Sequence, residues 1–176
     1  MTATVDRKRS AHRELTITRV IDAPRELVFK AWTDPGHLAQ WWGPNGFTNP
    51  VCEMDVRPGG ALRIVMRAPD GVDYPMSGIF REVVEADRLV FSAAAKDHEG
   101  NALLEWTSTV VFAEHGGTTK LTVQERAGAL TALGAQMLEG MEPGLTQSLD
   151  RLEAHVGRAG RAIVSRTSNH RQGGPS

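Results

Sequence analysis

One stretch near the C-terminus limits most strongly what this chain can fold into. Leu138, Met141, Leu145, Leu149, Leu152 and Val156 step by 3, 4, 4, 3 and 4 residues. That spacing places them on one stripe of a helix about five turns long. A helix with a single apolar stripe has to bury it against a partner. Pro143-Gly144 falls early in the stretch. Proline inside a helix removes a hydrogen bond and bends the axis. Either the helix begins near Glu142 or it is bent there.

Almost everything upstream reads as strand, so the partner is a sheet. Glu14 to Asp22 alternates, with Leu15, Ile17 and Ile21 on one face. Ala23-Pro24 ends it, and proline suits the first turn of a helix. Leu27, Val28, Ala31 and Trp32 then share a helical stripe, which Thr33-Asp34-Pro35 stops. Asp34 is placed to cap a second short helix running to Trp41 or Trp42. Strands follow over Phe47–Val56, Ala61–Arg67, Val72–Glu85, Arg88–Ala93, Leu103–Glu114 and Thr118–Glu125, separated by turn-forming clusters such as Pro69-Asp70-Gly71. Gly78 marks a candidate bulge in the third of these. The order predicts an α+β domain, a curved antiparallel sheet wrapped around a long C-terminal helix, with two short helices after the first strand.

A chain of 176 residues suits one domain. Its expected limits are 13–157. Residues 1–12 read as a disordered leader and 158–176 as a disordered basic tail, because neither holds enough apolar surface to offset ordering entropy. A formal net charge of -1 gives no support to nucleic-acid binding. No run approaches the ~20 apolar residues of a membrane span. Cys52 is the only cysteine and so forms no internal disulfide, and the first residues lack the apolar stretch of about 7–15 residues found in signal peptides. The expectation is a cytoplasmic protein, monomer or homodimer, that contacts neither membrane nor nucleic acid.

Little in the sequence points to catalysis. The six histidines are scattered, with no metal-ligand spacing, so no metal is expected. Cys52 has neither a cysteine nor a histidine neighbour to activate it. Glu53 and Asp55 share one face of a strand, but an exposed polar face explains them, and Asp55 is placed to pair with Arg57. Arg19 sits among Leu15, Ile17 and Ile21, where burial would demand a carboxylate partner. No cofactor motif is present, no catalytic residue is assigned, and the balance leans away from an enzyme. What remains is a set of large apolar side chains. Met66, Met76, Phe80 and Trp106 lie on strands, facing Met137, Met141 and Leu145 on the C-terminal segment. Trp41, Trp42 and Phe47 stand around the turn after the second helix, and Tyr74 could donate a hydrogen bond. The set reads either as the wall of a cavity for an apolar ligand or as ordinary core.

The runs Ile17–Pro24, Val28–Pro35 and Leu38–Pro44 together resemble the START/polyketide-cyclase (SRPBCC, Bet v-like helix-grip) superfamily, in the branch of bacterial homologues of the heat-shock-protein ATPase activator. Arg57–Gly60, Arg88–Phe91, Thr109–Phe112 and Ser148–Leu152 fit the same pattern. The resemblance implies a helix-grip fold with a cavity between the sheet and the last helix. It also implies tryptophans near the start of that helix, where this chain has Met141 and Leu145, so a roomier cavity is expected. The superfamily spans several activities, and four functions follow. The first is binding of a small hydrophobic or aromatic molecule. The second is a cyclase- or hydrolase-type enzyme using Tyr74, Asp55 or Arg19 in the same cavity. The third is a self-sacrificing resistance protein that traps an enediyne-type natural product and loses a glycine hydrogen to it. The fourth is a chaperone-interaction module.

Overall fold

The structure, a computed structural model, describes residues 12–169, with side chains through Gly157. The first strand, β1 (His12–Ile21), leads into α1 (Arg25–Thr33) and α2 (Pro35–Trp41). Asp34 separates these helices and caps α2, its carboxylate accepting from the amides of Gly36 (2.9 Å) and His37 (3.2 Å). Six strands follow: β2 (Thr48–Met54), β3 (Ala61–Arg67), β4 (Asp73–Val84), β5 (Arg88–Lys96), β6 (Ala102–His115) and β7 (Thr118–Ala129). They form one seven-stranded sheet in the order β1-β7-β6-β5-β4-β3-β2. Every neighbouring pair is antiparallel. The helices between β1 and β2 carry the chain to the far edge, from which it meanders back to β1.

The chain closes with α3 (Ala132–Glu139) and α4 (Met141–Asn169). Pro143 falls in the first turn of α4, where its missing N–H has no partner to lose, so the helix starts there rather than bending. Leu138, the first residue of the apolar stripe, belongs to the separate helix α3. That helix was not foreseen. Thr131 caps it by accepting from the Gly134 amide at 3.0 Å. Leu149, Leu152 and Val156 are fully buried against the sheet.

One local expectation needs correction. The irregularity in β4 lies between Phe80 and Glu82, not at Gly78, which stays in register opposite Ala93. Gly78 is required for another reason: a Cβ there would come within 2.1 Å of the Ser92 carbonyl. Helix α4 runs on through Asn169, past the expected domain limit at 157. Extending an existing helix fixes one residue per bond gained, and Arg158, Ala159, Arg161 and Ala162 are good helix formers. Residues 1–11 of the expected leader and 170–176 of the tail lie outside the described residues, and His12 already belongs to β1.

Arg19 finds the carboxylate its position demanded. Its guanidinium pairs with Asp150, lies 3.6 Å from Glu153 and donates to the Thr146 carbonyl at 3.3 Å, tying β1 to α4. One end of the interior is aromatic. Trp32 and Trp41 meet edge to face with centroids 4.8 Å apart, and Phe29 and Phe112 do so at 5.2 Å. The Trp41 indole donates to the Ala31 carbonyl at 2.9 Å. Among the described residues, no helix is long and apolar enough to cross a membrane.

Candidate functional site

The inner face of the sheet and the start of α4 do not meet everywhere. Between them lies a cavity of about 170 Å³. Met66 reaches it from β3, Tyr74 and Met76 from β4, and Trp106 from β6. Met137 of α3 and Met141 and Leu145 of α4 close the opposite side, and Trp42 borders it from the end of α2. These eight of the eleven residues singled out in the sequence come together around one cavity. The void lies against Met141 and Leu145, where the resemblance implied tryptophans.

The other three lie elsewhere. Trp41 is fully buried among the aromatic residues, its indole committed to α1. Phe80 shares a face with Met76 but stands four residues further along β4, where it packs on Phe91 at 6.2 Å. Phe47 is held at the rim with its ring 6.1 Å from Tyr74.

Among the wall residues missed in the sequence, one is acidic. Glu125 of β7 is only 6% exposed and lines the cavity. Ser108 donates to its carboxylate at 3.0 Å. Burial pushes the carboxyl up to about 7, against the smaller opposing pull of that hydrogen bond. Among the described residues, no lysine, arginine or histidine lines the cavity. The signal was in the alternation: Leu121, Val123, Glu125 and Ala127 share the inner face, and the sequence reading ended the strand at Glu125. Ser148 is the other buried polar wall residue, but its hydroxyl is engaged by the Gly144 carbonyl at 2.9 Å.

The rim is fastened by Arg151 of α4. Its guanidinium donates to the carbonyls of Trp42 (3.1 Å), Gly43 (2.9 Å) and Pro44 (3.0 Å), and to those of Gln40 (3.2 Å) and Phe47 (3.1 Å). It thus satisfies the end of α2 and the loop beyond it together. The Asn45 amide adds a bond to Gln147 at 3.0 Å. The glycines touching the cavity are Gly43 and Gly144.

Of the groups named for a cyclase- or hydrolase-type reaction, only Tyr74 borders the cavity. Asp55 pairs with Arg57 at 2.7 Å and Arg19 is engaged by α4. Burial pushes the Cys52 thiol up to about 11, with the Asp34 charge adding to the effect, so the thiolate a nucleophile needs is scarce near neutrality. The histidines are less scattered than they read. His37 Nδ1 and His155 Nε2 are 2.8 Å apart across α2 and α4, although among the described residues no group of three or more potential ligands could hold a metal. A larger depression lies on the outer face of the sheet, between charged side chains such as Arg63, Arg81, Glu105 and Arg126. It lacks the facing helix that walls the inner cavity.

A sheet gripping a C-terminal helix, with a cavity at the helix start, is the architecture the resemblance implied. The model of the Activator of Hsp90 ATPase homolog 1-like protein family matches residues 22–157. The chain belongs to that family. Among solved structures it is similar to protein CV1439 from Chromobacterium violaceum, at 28% identity, covering 81% of this chain and 96% of that one with a TM-score of 0.71. A protein from Rhizobium leguminosarum is 27% identical over 84% of this chain and 95% of its own, with a TM-score of 0.69. Protein Ms6760 from Mycobacterium smegmatis is 26% identical over 81% and 87%, with a TM-score of 0.63. No curated protein matches the chain. As a member of the Hsp90-activator-like family, the protein takes its fold from its kin. Its cavity wall is set by its own side chains.

Proposed function

We propose that this domain binds a small hydrophobic or aromatic molecule in the cavity between the sheet and α4. The observation that carries the reading is the wall itself. Met66, Met76, Met137 and Met141 surround the void, together with Trp42 and Trp106. Thioether side chains are flexible and polarizable, which suits them to an adaptable apolar site. An engineered apolar cavity of about 150 Å³ holds one benzene molecule. The space here, about 170 Å³, suits a molecule of one ring with a short substituent.

Two measurements test this. Native mass spectrometry of protein purified from its own host reports a retained molecule and its mass. Titration with toluene or indole, followed by intrinsic fluorescence, reports entry beside Trp42 and Trp106. A retained one-ring compound, or a saturable fluorescence change lost in Met141→Trp, supports the reading. A bare protein mass together with no response to either probe overturns it.

A further inference from the structure

The cavity is not uniformly apolar, and the exception has a definite sign. Among the described residues Glu125 is its one acidic wall residue, and no basic side chain on the wall balances it. The surroundings can be named element by element. Leu15 of β1 stands opposite Glu125, and Ser108 of β6 donates to it. Tyr74 of β4, Met137 of α3, and Leu145 and Ser148 of α4 complete the wall near it. Of these only Tyr74 carries an ionisable group. The charged neighbours in sequence and register, Glu105 and Arg126, face the outer side of the sheet.

A lone carboxyl in an apolar site costs stability unless a partner supplies positive charge or a hydrogen-bond donor. Ser108 supplies one donor and leaves the second carboxylate oxygen to the cavity. Trp106 pairs with Ala127, so it lies diagonal to Glu125 on the same face of the adjacent strand. Trp42 and Tyr74 add two more rings. Aromatic faces carry negative potential and attract cations, ammonium groups included. A carboxylate on a wall that also carries three aromatic rings, with no basic side chain among its described residues, is a recognition set for a positively charged nitrogen.

We propose that the ligand class is a small aromatic or alkyl amine, whose ammonium group pairs with Glu125 while its apolar body fills the space among the methionines. This rests on the cavity-binding reading above and narrows it. Glu125 is then a recognition residue rather than a catalytic one. No covalent step is involved. Pairing requires the charged carboxylate, so when the acid form is bound by an ammonium ion its proton passes to the buffer.

The test is calorimetric titration of the full chain with toluene, benzylamine and benzoate. A charged hydrogen bond of this kind favours benzylamine over toluene by on the order of tenfold to a hundredfold. Benzoate is expected to be rejected. Glu125→Gln removes the preference for benzylamine and leaves toluene binding in place. Equal affinity for toluene and benzylamine overturns the amine inference and leaves the cavity reading standing, whereas no binding of either probe overturns both. If Glu125→Gln fails to fold, the wild-type pH profile decides. The advantage of benzylamine over toluene rises from pH 5.5 to 8 as Glu125 ionises (on a carboxyl pushed up to about 7), and a flat ratio overturns the proposal.

Discussion

The two ends of the interior are built from different side chains and behave differently as a result. Beneath α1 and α2, Phe29, Trp32, Trp41 and Phe112 meet edge to face at centroid distances of 4.8 to 6.5 Å. Rigid rings with few rotamers interlock there. Toward α3 and the start of α4 the wall mixes four methionines and small residues such as Ala95 with Trp42, Tyr74, Trp106 and one buried carboxyl. The same sheet is thus an anchor at one end and a container at the other. A domain of this kind can rest its stability on the first end and let the second remain hollow.

Substitutions put that contrast to the test. The largest effect is expected at the packed end, where Trp41→Ala removes a fully buried ring and should cost about 4 kcal/mol in urea unfolding. Met137→Ala, on a half-buried wall residue, should cost less than half as much. Next comes Glu125. Its carboxyl is held near 7 in the folded protein, above the 4.5 of an ordinary glutamate. The raised value favours the folded state fully below pH 4.5, and that contribution is lost as pH rises through 7. The loss amounts to about 3 kcal/mol. Measured unfolding free energies should therefore show this decline in the wild type, and Glu125→Gln should remove it. Arg151→Met should cost about 2 kcal/mol by leaving the five rim carbonyls without their shared donor, and should speed amide hydrogen exchange in residues 42–47. The smallest effect belongs to the cavity wall, where the volume-conserving Met141→Leu should shift stability by less than about 1 kcal/mol. A cost at Met141 matching that at Trp41 would erase the distinction between the two ends.

Much of this architecture could be read from period alone. The alternation of Leu62, Ile64 and Met66, and the stripe from Met141 to Val156, named the core-facing side chains directly. Asp34 announced itself as a cap. The failures are as physical as the successes. Helix α3 carries Gly134, a poor helix former, yet a Cβ at that position would come within 1.8 Å of the Leu103 carbonyl, so tertiary contact dictates the residue. Glu125 was passed over because a carboxylate at a strand end normally signals solvent, and only the continuation of β7 to Ala129 shows that the strand had not ended. Trp41 and Trp42 pack edge to face with centroids 5.8 Å apart, yet only Trp42 reaches the cavity, a division that depends on where α2 stops. The pairing of His37 with His155 depends on two helices meeting across 118 positions of sequence, which no local pattern encodes.

The grip of Arg151 has a consequence for how such a domain can diversify. Each of its bonds at the rim ends on a main-chain oxygen. The anchor is therefore blind to side-chain identity. Trp42, Pro44 and Phe47 can be exchanged for other residues, and the opening reshaped for a different guest, while the loop stays fastened by bonds that every residue type carries. Inheritance of the scaffold and drift of its selectivity are in this way assigned to different atoms of the same residues.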